Sequence, residues 1–235
     1  MYGLALLNSD YTGDAITVRR ASDNATQNIG FDGQDLDIAA LESFCSATDG
    51  FVTTLFDQSG NGFDAVQTTA SSQPQIVSSG SVLLENGLPS MNFDGVDDDI
   101  VAANLTTELD SSPFSIFTVS RNGRYGITGA VPRLYLNEST YSYNNLSIIS
   151  WIRDDYALRS YFAQSDNTHE VFENSVSKGT ATETLVDFSP TDFLIGRTGG
   201  SYTANKIQTV IVFTSEQGGN RTGIETALND YYSIY

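Results

Sequence analysis

Phe51-Val52-Thr53-Thr54-Leu55-Phe56 runs straight into Asp57-Gln58-Ser59-Gly60-Asn61-Gly62. The first six residues are β-branched or aromatic, the types that suit a pleated, half-buried surface. The next six are turn formers, with an Asn-Gly pair that stops the strand. The same unit recurs along the chain. Ala15 to Arg19 alternates, with Ile16 and Val18 on one side. Further strands are predicted at 75–77, 90–93, 114–120, 141–153, 159–163, 170–174, 193–196 and 207–213, with Asp94-Gly95 and Asn122-Gly123 as turn marks. Prolines 74, 89, 113, 132 and 190 fall at strand edges or in loops, where a missing N–H does least harm. Helical periodicity is scarce. Leu36 to Phe44 places Leu36, Ala40, Leu41 and Phe44 on one face behind Asp35 as N-cap, and Asn220 to Tyr231 repeats Ile224, Ala227, Leu228 and Tyr231. Many short strands at turn-signalled intervals predict an all-β, two-sheet sandwich or barrel with two short helices.

At 235 residues the chain is long enough for one large domain or two small ones. No linker, repeat or shift of composition divides it, so one domain over 1–235 is expected. The 40% hydrophobic and 11% aromatic content excludes intrinsic disorder. Only 17% of residues are charged, and 27 Ser and 24 Thr make the polar surface largely hydroxyl. The net charge of −18 argues against nucleic acid and anionic membranes as partners, because both are bound through basic patches. Cys45 is the single cysteine, so no internal disulfide can form, and it reads as a small buried hydrophobe on the first helix. The N-terminal stretch has no basic segment and too short an apolar run for a secretory signal.

Two sets of motifs carry a family resemblance. Tyr11-Thr12-Gly13, Val18-Arg19-Arg20-Ala21-Ser22-Asp23-Asn24, Phe44-Cys45 and Phe56-Asp57-Gln58-Ser59-Gly60-Asn61-Gly62 resemble the N-terminal half of the α-L-arabinofuranosidase B catalytic domain, a jelly-roll glycosidase family. Phe93-Asp94-Gly95-Val96-Asp97-Asp98, Leu194-Ile195-Gly196, Ile207 to Phe213 and a last helix ending Tyr231-Tyr232 resemble laminin-G-like, concanavalin A-like jelly rolls. Together the two sets span about 60% of the chain and imply a jelly-roll sandwich. The glycosidase resemblance also implies a general-acid Asp directly after a Gly-Gly. Here Gly199-Gly200 is followed by Ser201, and a hydroxyl cannot deliver a proton as a tuned carboxylic acid does. The family's nucleophilic Glu has no counterpart in Trp151-Ile152-Arg153-Asp154-Asp155-Tyr156, the closest stretch. The resemblance also matches Cys45 to a structural cysteine whose partner position is Gly50 here.

Among carboxyls, Asp154-Asp155, Glu170 and Glu173 are the best candidates for a catalytic pair. Glu170 is expected to point away from Phe172, with Glu173 on the side opposite Glu170, so those two should not meet. Asp57, Asn61 and Asp64 alternate with glycines and could wrap Ca²⁺, or their side chains could satisfy backbone N–H groups of a tight loop. Asp97 and Asp98, in the run Asp94 to Asp99, repel one another and pose the same choice. The loop reading is favoured at both places, so no cofactor is expected, with Ca²⁺ as the alternative. His169 is the only histidine, so no Ser-His-Asp triad and no multi-histidine zinc site can be built. One arginine of Arg19-Arg20 is expected to pair with Asp23 or Asp57. Tyr141, Tyr143, Trp151 and Tyr156 crowd the central third, as a core, as a subunit interface, or as a platform on which sugar rings stack.

The missing acid favours a non-catalytic module over an enzyme. The expected role is a structural or attachment module of a bacteriophage virion: a lectin-like head fibre, capsid decoration or tail-associated protein. It would be assembled in the host cytoplasm as a homo-oligomer, binding other virion proteins or, for host attachment, surface glycans. The alternatives are a glycoside hydrolase of arabinofuranosidase type and a Ca²⁺-dependent carbohydrate-binding domain of a cellular protein.

Overall fold

The computed structural model describes residues 1–109, 112–127, 134–136, 140–143, 146–150, 156–186 and 192–235. After a two-residue strand, Tyr2–Gly3, that pairs with Thr209 and Val210, the chain runs through β1 (Ile16–Arg20), β2 (Thr26–Ile29), α1 (Ile38–Cys45) and β3 (Gly50–Leu55). Next come β4 (Ala65–Val66), β5 (Gln75–Ser78), β6 (Met91–Asp94), β7 (Ile100–Ala102), β8 (Phe114–Arg121) and β9 (Tyr125–Ile127). β10 (Leu134–Leu136), β11 (Thr140–Tyr143), β12 (Leu146–Ser150), β13 (Tyr156–Ala163), β14 (Thr168–Glu173) and β15 (Val176–Thr182) follow. β16 (Phe193–Ile195), the hairpin β17 (Arg197–Thr198) and β18 (Ser201–Tyr202), β19 (Ala204–Phe213) and α2 (Arg221–Tyr232) complete the order.

β3 is where the two sheets divide. One edge pairs with β1, which carries β2 on its far side. The other edge is shared. Gly50 and Phe51 bond to β5 across a register shift, whereas Thr54 and Leu55 bond to β4. From β5 the first sheet runs β6, β19, β8, β13, β14, β15. From β4 the second runs β7, β16, β9, β10, β11, β12. All these pairings are antiparallel, and the all-β jelly-roll sandwich read from the sequence is what the chain adopts.

The core between the sheets takes Phe114, Ile116, Tyr161, Val171, Val210 and Val212 from one side, and Ile100, Ala102, Ile127, Phe193 and Ile195 from the other. Each of the Val, Ile and Phe side chains among them contributes about 1.5–3 kcal/mol when fully buried. β8 is covered on both faces. Phe117 and Val119 point outward and, with Leu158, Phe162, Phe172 and Ile211, form a second cluster under Leu228 and Tyr232 of α2. Within α2, Ala227 is exposed and Glu225 is buried instead. The Glu225 carboxylate accepts from Arg221 Nη1 at 2.6 Å, Ser160 Oγ at 2.7 Å and Ser175 Oγ at 2.8 Å. A carboxylate with three donors can be buried without orphaned charge.

The first helix starts later than its apolar spacing suggests. Asp37, not Asp35, accepts from the Ala40 N–H at 2.8 Å and is the N-cap, because Asp35-Leu36 is held in a short strand against Phe31-Asp32. Cys45 ends the helix fully buried. Arg20 makes the expected pair with Asp23 at 2.7 Å, while Arg19 bonds to Gln73 and Asn24.

Candidate active site

Along the inner face of the first sheet, side chains change from apolar to polar toward one end. On β8 the inward series is Phe114, Ile116, Thr118, Ser120. On β13 it is Ala163, Tyr161, Arg159, with Arg159 opposite Thr118. On β14 it is His169, Val171, Glu173, with Glu173 opposite Arg159. Arg159 Nε lies 3.1 Å from one Glu173 oxygen and Lys178 Nζ lies 3.3 Å from the other. Arg159 and Glu173 are only 4% and 3% exposed, so a compact charged group is enclosed at this end. Glu170 and Phe172 share the outer face, against expectation, since alternation through Glu170-Val171-Phe172 returns to the same side. Glu170 and Glu173 do lie on opposite faces.

Tyr125, on β9 of the second sheet, reaches across. Its hydroxyl and that of Ser120 both crowd Gly123, leaving no room for a Cβ there. Burial pushes the Tyr125 hydroxyl up to about 12, opposed by Ser120, Arg159 and Thr118. Among the described residues, Thr118 Oγ1, Ser120 Oγ, Tyr125 OH and Asn205 Oδ1 are buried without a well-formed hydrogen bond. The Thr118 and Ser120 hydroxyls lie against Tyr125 OH, so these polar groups gather at one spot of the interior. The His169 ring is accounted for: Nδ1 meets Tyr161 OH at 2.7 Å and Nε2 meets the Glu183 carbonyl at 2.8 Å.

The turn after β6 closes this end. Asp94 Oδ1 accepts from the Val96 N–H at 2.7 Å, and Asp98 Oδ2 accepts from the Asp94 N–H at 2.8 Å. Gly95 has φ +82 and packs on the Ala204 backbone, so a side chain has no place there. Asp99 pairs with Arg197 Nε at 2.5 Å. Asp98 is 7% exposed. Burial first, then the charges of Asp94, Asp97 and Asp99, push its carboxyl up to about 7, against the Asp94 N–H that holds it down. Its main-chain oxygen lies 3.1 Å from where a Gly196 Cβ would stand, beside the Leu194-Ile195-Gly196 strand.

Oxygens of Asp94, Asp97 and Asp98 all lie within 4.8 Å of one another, and these three could offer ligands to a hard cation. Asp57 and Asp64 are otherwise engaged. Asp57 accepts from Ser59 N and Oγ, from Phe63 N and from the Met1 amino group, while Asp64 accepts from Asp57 N. Asn61 is exposed and donates its N–H to Ser59 Oγ. That is the loop-satisfying arrangement. Of the aromatic candidates, Tyr156 packs on the outer face and donates to Gln208 Oε1 at 2.5 Å. Tyr141 and Tyr143 lie on β11 of the other sheet. Trp151, with Asp154 and Asp155, lies outside the described residues. Tyr156 and β11 thus belong to different sheets. Ser201 is exposed at the start of β18.

Residues 4–83 match the family model described as alpha-L-arabinofuranosidase B, catalytic. Over 58 residues the chain is 45% identical to the probable alpha-L-arabinofuranosidase B of Aspergillus terreus (strain NIH 2624 / FGSC A1156), covering 24% of this chain and 12% of that protein. Among solved structures, a GH54 α-L-arabinofuranosidase soaked with a cyclic sulfate inhibitor superposes with TM-score 0.71 at 13% identity. An arabinofuranosidase complexed with arabinofuranosyl-alpha-1,2-xylobiose does so with TM-score 0.73 at 14% identity. Each covers 96% of this chain, and the chain spans 61% of their length. The chain thus resembles the arabinofuranosidase B catalytic domain and shares its sandwich. These findings overturn the expected non-catalytic phage virion module, its capsid and fibre associations, and its standing as a non-enzyme. The sequence match leads to the arabinofuranosidase B catalytic domain, and the structural likeness shows the same sandwich.

Proposed function

We propose that the chain is a glycoside hydrolase domain of the arabinofuranosidase type, releasing an arabinofuranosyl unit from a glycan. The observation that carries this reading is the match over residues 4–83 within a chain that shares the arabinofuranosidase fold along 96% of its length. Glycoside hydrolysis needs one carboxylic acid to protonate the leaving oxygen and one carboxylate to attack the sugar or activate water. Ser201 cannot supply the proton. Asp98 can: a carboxyl with a pKa of about 7 is half protonated near neutrality, and the main chain that carries it passes Gly196, at the end of the strand that leads to Ser201. The second carboxyl is assigned to Asp154 or Asp155, in the stretch closest to the family's nucleophile segment. Lys178 and Arg159 hold Glu173 between them, a charged floor rather than an attacking group.

The test is turnover of aryl α-L-arabinofuranosides by the purified chain between pH 4 and 8. Asp98→Asn is expected to lower the rate by about 10²–10⁴ for a poorly leaving phenol and far less for nitrophenol, which departs without a proton. One of Asp154→Asn and Asp155→Asn should abolish turnover of both. No turnover by the folded wild type, or turnover indifferent to all three substitutions, rules the reading out.

A further inference from the structure

We infer that Asn61 is a site of spontaneous covalent modification, deamidation through a cyclic imide, and that the fold shields the other two Asn-Gly pairs from the same reaction. The modification goes beyond glycan hydrolysis and uses none of its machinery. Asn-Gly occurs at 61–62, 86–87 and 122–123. Glycine has no Cβ, so the nitrogen that follows each Asn is open to its side chain. Local sequence makes the three pairs alike, and only their surroundings separate them.

The Gly62 backbone nitrogen attacks Asn61 Cγ, and the new C–N bond closes a five-membered imide. The bond from Cγ to Nδ2 breaks, and ammonia leaves with the proton that the Gly62 nitrogen gives up. Water then adds to one of the two imide carbonyls and opens the ring, as aspartate or as isoaspartate. One water is consumed, one ammonia is released, and the loop gains one carboxylate.

Backbone geometry decides where this can happen. The attack needs the following nitrogen on the same side as the Asn Cβ. In the left-handed region, with ψ about +47°, that nitrogen stands nearly opposite Cβ and out of reach. Asn86, with φ +51, and Asn122, with φ +54, are both held there, whereas Asn61 lies outside that region. Packing locks the two turns further. Asn86 Nδ2 donates to the Tyr232 carbonyl at 2.8 Å and to that of Ser233 at 3.1 Å, so losing ammonia there means breaking the tie to the end of α2. Gly123 is crowded by Ser120 Oγ and Tyr125 OH. Asn61 is the opposite case. It is exposed, and its side-chain amide makes no hydrogen bond among the described residues. A Cβ built on Gly60 or Gly62 would meet nothing within 4 Å, so the backbone on either side has room to turn.

Peptide mapping by mass spectrometry tests this on the full chain, aged at pH 8 and 37 °C either folded or in urea. In urea the three sites should react at similar rates, since each then reports only its Asn-Gly pair. In the folded protein Asn61 should react at least about tenfold faster than Asn86 and Asn122, whose turns must open first. Anion exchange should show a more acidic species growing at the Asn61 rate. That species should be missing from Asn61→Gln, whose longer side chain would have to close a six-membered ring. A smaller separation of the three rates in the folded chain overturns the inference. So does an early acidic species that persists in Asn61→Gln.

Discussion

Gly50→Cys should create a disulfide with Cys45. A Cβ built on Gly50 would stand 2.6 Å from Cys45 Sγ, 3.1 Å from Val18 Cγ1 and 3.2 Å from Val77 Cβ. In a disulfide each Cβ lies about 3 Å from the partner sulfur, as follows from an S–S bond of about 2.04 Å. The required adjustment is therefore a few tenths of an ångström. Gly50 does not occupy the left-handed region, so a side chain brings no backbone strain of that kind. The bond closes a loop of about six residues, for which chain-entropy arithmetic gives about 2 kcal/mol of stabilisation before strain. For a chain of this size that is a rise of roughly 4–8 °C in melting temperature. Without the bond the added atoms only crowd Cys45, Val18 and Val77, and overpacking of that sort costs about 1–3 kcal/mol. Oxidised Gly50→Cys should therefore melt above the wild type, and the same protein in reductant below it. Gly50→Ala should sit with the reduced form. Thiol titration of the denatured, oxidised variant should find none, against one in the wild type. Two titratable thiols, or an oxidised form no more stable than the reduced, would refute the placement of Gly50 against Cys45.

Asp98 should make stability depend on pH. Its folded pKa of about 7 lies above its ordinary value, so the fold binds a proton more tightly than the unfolded chain. That contribution is fully present below about pH 4 and is lost as pH rises through 7, by up to about 4 kcal/mol at 1.36 kcal/mol per unit. Denaturant midpoints at pH 5 and pH 8 should reveal the fall, and Asp98→Asn should flatten it and be the more stable protein at pH 8. Glu173→Ala leaves Arg159 buried beside its lost partner and should cost about 3–5 kcal/mol in urea unfolding. Salt should not restore it, because an enclosed pair is screened little. Glu225→Ala strips Arg221, Ser160 and Ser175 of a shared acceptor and should loosen α2, read as faster hydrogen exchange at Leu228 and Tyr232 than in the body of β8.

Strand positions were legible because they rest on local chemistry: β-branched runs, Asn-Gly turns, and prolines confined to edges. Cys45 and the Arg20–Asp23 pair were legible for the same reason, since each needs only its own neighbourhood. The N-cap was displaced from Asp35 to Asp37 by pairing with Phe31-Asp32, a contact outside the helix. The polar end of the sandwich was less accessible. Thr118 and Arg159 become neighbours through pairing across 41 positions, and Tyr125 joins them only from the opposite sheet. Hydroxyls on β8 look like ordinary strand residues until the facing side chains are known. Function was misread because a few departures, Ser201, the stretch Trp151 to Tyr156 without a Glu, and Gly50 opposite Cys45, were weighed above eighty consecutive matching positions. An acid lost from one loop can be supplied by another carboxyl nearby, and Asp98 was seen only as part of a solvated or cation-binding turn. Its burial depends on tertiary packing and has no mark in the sequence.

The shared edge of β3 has a consequence for how the protein comes into being. Neither layer can peel away alone, since both hang from the same six residues. The strand Ala204–Phe213 lies between Met91–Asp94 and Phe114–Arg121, so the front layer stays open until more than two hundred residues have left the ribosome. Until then these two strands wait with a bare edge each, ready templates for a neighbouring chain. The excess of acidic over basic residues, a net charge of −18, keeps such half-made copies apart while they wait.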